Sequence, residues 1–264
     1  GSLSGPRNGM AIAENEQPAY LVLDSLPPVS TSTKEQLPEL LLAAFRMGRL
    51  YAAEEWPVLN DEKLVFASPT VSGKPEKPVC GSRDYPYCGL YLVTPTSTSL
   101  VAWGEELTGF KSVEGVPDAD HAVLLRSWSF LNYSIIERIG LDLKTGEMVP
   151  LLTLELDVSD ESAELQASGQ GRNASLLITG GSEKSRLVPT ALLVKDEKGK
   201  TRFSLSQDDV LRLAEAARSG ERKPPVAVQP SKEDVTSGQI NLLLFGLPYE
   251  LDLKSYKLTA LTSR

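Results

Sequence analysis

The chain has 264 residues, with 27 Lys+Arg against 35 Asp+Glu and a single His, for a formal net charge of −8. At 41% hydrophobic and 23% charged it has the composition of a folded globular protein. No apolar run reaches the roughly 18–20 residues of a membrane-spanning helix, and net acidity argues against nucleic-acid binding, which needs a basic face to neutralise phosphates.

Residues 1–17 are rich in Gly, Ser, Asn and Glu without apolar periodicity. They read as a flexible leader ahead of a single β-rich domain over 18–264. Such a leader suits a processed, lipoprotein-like chain with an N-terminal anchor; Met10 as the native start would place the protein in the cytoplasm instead. Ala19 to Asp24 reads as a short strand, stopped by Pro27-Pro28. A buried helix is expected over about 37–55, apolar around much of its circumference and closed by Trp56-Pro57.

Beyond Trp56 the apolar pattern changes to short runs of period two. Four lone strands are expected at 63–67, 121–125, 174–178 and 239–244, each followed by a strand–turn–strand unit. These units are 90–94 with 100–103, 140–143 with 148–151, 191–194 with 201–203, and 249–253 with 257–261. Gly146 and Gly199 supply the positive φ their hairpin turns require. The clearest internal match is Leu141-Asp-Leu-Lys-Thr-Gly146 with Leu251-Asp-Leu-Lys-Ser-Tyr256, and the first of these resembles the outer hairpin of many propeller repeats. The expected fold is mainly β, either an antiparallel β-sandwich or irregular propeller-like repeats. A second helix is expected at about 207–218, capped by Ser206 and ended by Gly220. The Pro-rich stretch 221–238 is an exposed loop or a sub-boundary.

The two cysteines, Cys80 and Cys88, enclose a short loop that contains Gly, Asp and Pro. Two cysteines closing so short a loop can bridge if their Cα atoms lie within about 7 Å; a bridge implies an oxidising compartment, periplasmic or extracellular, and two reduced thiols of a cytosolic protein are the alternative. The loop carries Arg83, Asp84, Tyr85 and Tyr87, with Tyr91 just beyond it. Tyrosines on a tied loop give contact area at low entropic cost, so these five are the expected binding residues. Trp128, Phe130 and Tyr133 form a second aromatic group.

Catalytic signatures fail on inspection. His121 follows Asp118 and Asp120, but no Gly-x-Ser-x-Gly elbow accompanies it, and it reads as a turn residue opening a strand. Gly199-Lys200-Thr201 sits in a hairpin, and Gly169-Gln-Gly171 precedes a strand, so neither is a phosphate loop. The acidic stretch from Asp157 to Glu164 lacks calcium-loop spacing. No metal or cofactor is expected.

These features point to a non-enzymatic extracytoplasmic β scaffold that binds another protein through surface loops, of the inhibitor or toxin-neutralising kind. Its acidity suits a basic partner. The alternative is a carbohydrate- or peptide-active hydrolase using two carboxylates, for which the sequence nominates no pair.

Overall fold

The computed structural model describes residues 36–47, 50–58, 60–68, 88–229 and 234–261. The leader, the strand expected at 19–24 and the loop 81–87 lie outside them.

Sixteen strands among the described residues form three antiparallel sheets, each in chain order. The first sheet contains β1 (Tyr51–Pro57), β2 (Lys63–Ser68), β3 (Gly89–Val93) and β4 (Thr98–Trp103). The second runs through β5 (Phe110–Asp118), β6 (His121–Phe130), β7 (Tyr133–Asp142), β8 (Met148–Val158), β9 (Ser162–Gly169), β10 (Arg172–Glu183), β11 (Arg186–Asp196) and β12 (Thr201–Ser204). The third contains β13 (Val226–Val228), β14 (Gln239–Leu244), β15 (Leu247–Asp252) and β16 (Leu258–Ala260). Three helices interrupt them: α1 (Gln36–Arg46), α2 (Gln207–Ser219) and the single turn α3 (Asp234–Ser237). The fold is therefore mainly β and consistent with a β-sandwich. None of the helices among the described residues is long and apolar enough to cross a membrane.

The helix expected over 37–55 is corrected. It ends at Arg46, and 51–57 is strand β1. Gly48 follows in the sequence, and glycine is poor in a helix interior. From Glu54 to Pro57 exposure alternates with period two, half-buried then exposed, as in a strand with one covered face. Pairing of Trp56 with Leu64 and of Glu54 with Phe66 fixes the register.

The chain divides into two compact units, residues 1–126 with 140–148, and residues 127–139 with 149–264. In the first, α1 lays Leu41, Ala44 and Phe45 against Val65 of β2 and Tyr91 of β3. The spacing i, i+3, i+4 puts these three on one face of the helix. Phe45 stacks on Tyr91 with ring centroids 4.2 Å apart, and Arg46 donates to the Thr98 carbonyl at 2.9 Å.

In the second unit, alternate residues of β9 and β10, such as Leu165, Leu176 and Ile178, face Ile240 and Leu242 of β14 in one core cluster. Period-two apolar residues on both sheets make this two-layer packing. Helix α2 adds Leu213 and Ala217 to that cluster. It starts where Ser206 accepts from the Asp209 amide at 3.2 Å, and it stops at Gly220. The short α3 is pinned from two sides. Gln170 Nε2 donates to the Val235 and Thr236 carbonyls at 2.9 and 2.7 Å, and the Asp234 carboxylate pairs with Arg138 of β7, Oδ2 to Nη1 3.7 Å.

The two matching segments fold alike. Asp142 accepts from the amides of Lys144 and Thr145, and Asp252 accepts from those of Lys254 and Ser255. In both, the residue after the Asp (Leu143, Leu253) donates to the carbonyl just ahead of another strand, that of Asp120 or of Gly238, at 2.8 and 2.9 Å. Gly146 takes φ +75°, and Tyr256 takes φ +60° at the equivalent place. A left-handed conformation costs a tyrosine roughly 1–2 kcal/mol relative to glycine. Here the ring is buried beneath Arg202, 5.0 Å from guanidinium carbon to ring centroid, which offsets that cost.

Candidate functional site

The residues expected to bind fall in different places. Cys88 is fully buried and disulfide-bonded, while Cys80, Arg83, Asp84, Tyr85 and Tyr87 lie outside the described residues. Tyr91 is fully buried under α1 and belongs to the core of the first unit, so its ring presents no surface to a partner. Burial pushes its hydroxyl pKa up.

His121 opens β6, as its sequence context suggests. Its Nδ1 lies 2.9 Å from Asp118 Oδ1, and its Nε2 lies 3.9 Å from Asp142 Oδ2. The hydrogen bond with Asp118 raises the imidazole pKa, helped by the charges of Asp118, Asp142 and Asp120 against partial desolvation. Asp118 is lowered in turn, first by the hydrogen bond from His121. Both ring nitrogens face carboxylates, so the protonated ring links two turns. With its folded pKa raised, this link stabilises fully below the unfolded value of about 6.5 and is lost as pH rises through the folded value. An NMR titration of the sole histidine should give a pKa above about 6.5, and Asp118→Asn should lower it. A wild-type value at or below the ordinary one contradicts the link. Among the described residues no group of three or more His, Cys, Asp or Glu side chains could hold a metal ion.

The second aromatic group leads to a more informative place. Phe130 and Leu131, at the tip of the β6–β7 hairpin, are 72% and 88% exposed, and Trp128 is 36% exposed. Tyr133, across the turn, is instead held by its hydroxyl, which donates to Glu155 Oε2 at 2.8 Å. Leu131 takes φ +53°, where Asn or Gly would be cheaper. A leucine held in that conformation and in solvent is unfavourable twice over, on backbone and on hydration.

Asn132, next in the chain, lines a cavity of about 330 Å³ in the second unit. Several tight turns converge on it: Ser159 and Asp160 between β8 and β9, Ser185 between β10 and β11, Arg222 and Lys223 after α2, and Phe245 between β14 and β15. Lys184 and Ser185 (φ +52° and +60°) and Phe245 (φ +50°) again take left-handed backbone without being glycine. A second cavity, of about 690 Å³, shares Arg186, Ala217 and Arg222 with the first and adds Lys184, Arg218 and Glu221. One end of the second unit thus gathers an apolar knob, two adjoining cavities and a group of cations.

Phe130 stands out in the sequence as one of an aromatic group, but this end of the unit does not. The signal available was hairpin turns built from Leu, Lys and Ser where Asn-Gly is the economical choice. The convergence of those turns on the end of α2 depends on tertiary packing. No family model matches the chain, and a comparison with curated proteins found no match.

Proposed function

We propose that this chain is a non-enzymatic binding protein that docks another protein on the loop end of its second unit, in an extracytoplasmic compartment. The observation that carries the reading is the exposed pair Phe130 and Leu131 beside the cavity. Large apolar side chains scattered singly over a surface need no explanation, but two at one hairpin tip, with a Trp two residues before, have the make-up of an interface anchor. The disulfide at Cys88 supports the compartment, since such bonds persist where thiols are oxidised. An inhibitor or toxin-neutralising protein is the class that fits a rigid scaffold presenting loops. The segment with Arg83, Asp84, Tyr85 and Tyr87 is a proposed second contact, resting on its sequence.

The test is F130D/L131D in the full chain, with a photo-crosslinking residue at position 131 used to trap the partner in native extracts. Two lost anchors of about 2 kcal/mol each predict at least a roughly hundredfold weaker complex with the trapped partner. Stability should change by no more than about 0.5 kcal/mol, because both side chains already face water. A trapped partner that binds the double variant as tightly as wild type defeats the reading. Replacing Tyr85 and Tyr87 in the same assay separates the two contacts.

A further inference from the structure

The molecule carries a surplus of negative charge, yet the loop end of the second unit is cationic. Its two cavities are lined by five basic residues, Lys184, Arg186, Arg218, Arg222 and Lys223, against three acidic ones, Asp160, Glu183 and Glu221. Two of the cations have structural employment. Arg218 Nε pairs with Glu183 Oε2 at 3.0 Å, and Arg186 Nη1 donates at 2.8 Å to the carbonyl of Gly220, which closes α2. Cations at a helix C-terminus stabilise its dipole, and that accounts for these two. Lys184, Arg222 and Lys223 have no ion pair or side-chain hydrogen bond among the described residues. The Lys223 side chain, from Cδ to Nζ, lies against Gly246, the residue after Phe245.

We infer that this end binds an acidic, apolar-flanked segment of a protein partner, with Arg222 and Lys223 taking a carboxylate at the smaller cavity and Phe130 and Leu131 packing on the flanking apolar residues. The inference rests on the proposed docking role and specifies its partner. Three features favour a peptide carboxylate over a phosphate group. Asp160 in the same wall opposes a doubly charged ligand, and so does Glu221 in the adjoining cavity. Leu187, Pro224, Pro225 and Phe245 make part of the lining apolar. Ser159, Ser185 and Asn132 offer hydroxyl and amide groups suited to a peptide backbone. The surplus negative charge elsewhere on the chain would repel an acidic partner in the wrong orientation, so a local cationic end also selects the docking pose.

The experiment is an amide-detected NMR titration of the full chain with a short synthetic peptide of alternating Glu and Leu. Parallel titrations use inorganic phosphate and a Lys/Leu peptide of equal length. The expected result is shifts confined to residues around 130–132, 159–161, 184–187, 218–225 and 245–246 with the acidic peptide only. R222E/K223E, which alters exposed side chains and should fold normally, is expected to weaken the acidic peptide by at least about tenfold. Absent shifts, shifts located elsewhere, or an R222E/K223E protein that binds equally well overturn the inference. Equal or stronger binding of phosphate overturns the carboxylate assignment in favour of a general anion site, and stronger binding of the Lys/Leu peptide overturns the sign of the partner's charge. These outcomes are separate from the F130D/L131D experiment, which reads partner capture and can succeed while the acidic peptide fails.

Discussion

Asp234→Ala should lower the unfolding free energy by about 3–5 kcal/mol, because it takes a charged partner from the buried Arg138 guanidinium. The two side chains are 2% and 1% exposed, and Asp234 Oδ2 lies 3.7 Å from Arg138 Nη1. An intact buried pair need not be a large net gain, since desolvating both ions costs several kcal/mol. Breaking it is a different matter. The remaining charge keeps the desolvation cost and loses this attraction. The double variant R138M/D234L removes both charges of the pair, so its cost should be well below the sum of the singles. Urea unfolding of the four proteins measures this cycle. Single variants within about 1 kcal/mol of wild type would mean that water or a rearranged α3 satisfies the charge. Arg138 lies on the strand that leaves the Phe130–Leu131 tip and Asp234 opens α3, so the pair ties two loop-rich segments of one unit together.

The pair was invisible in the sequence. Arg138 sits among Ile135, Ile136 and Ile139 and gives no sign of being buried, and Asp234 falls in a stretch that reads as an exposed loop. Ionic pairing across nearly a hundred residues is set by packing, which local patterns do not encode. The strand pattern was much more legible. The four lone strands read from the sequence are β2, β6, β10 and β14, and the strand–turn–strand units are the two strands that follow each. What escaped was the strand ahead of each group, for a different reason every time. β1 carries an Ala-Ala-Glu-Glu run of good helix formers and extends an apolar helix pattern. β5 contains Gly115 and Pro117 and is bulged at three places along β6. The inward residues of β9 include Ala163 and Ala167, too small to register as an apolar strand. β13 has only three residues. The turns were legible because Asp, Gly and Lys at fixed offsets report local hydrogen bonding. Tyr91 was misread as a surface residue because a tyrosine beside a loop has the same letters whether its ring faces water or a helix. The cationic end was hidden by the net charge, an average over 264 residues that says little about one patch.

Two neighbouring glycines should behave in opposite ways. Gly180→Ala is expected to destabilise the protein by at least about 3 kcal/mol, at the upper end of what overpacking costs, whereas Gly181→Ala should stay within about 1 kcal/mol of wild type. A Cβ on Gly180 would sit 1.9 Å from the Val188 carbonyl oxygen and 2.9 Å from Pro189 Cα, both backbone atoms with nowhere to retreat. A Cβ on Gly181 would meet nothing within 4 Å. The difference follows from a β-bulge: Thr179 pairs with Ala191 and Gly180 with Pro189, so Thr190 is the extra residue and the two backbones are pressed together at Gly180. Gly180 also donates its amide to the Glu161 carbonyl in the β8–β9 turn, at 3.0 Å. An alanine there must move either β11 or that turn, and both lead directly to the cavity through Arg186 and Asp160. Urea unfolding of the two variants side by side checks the energetic half; equal stabilities would remove the bulge from the account. The functional half is read by the acidic peptide. G180A should weaken it and shift the amides of 184–187, while G181A should leave both unchanged. That contrast would show that the backbone register of β10 and β11 holds the cations in place.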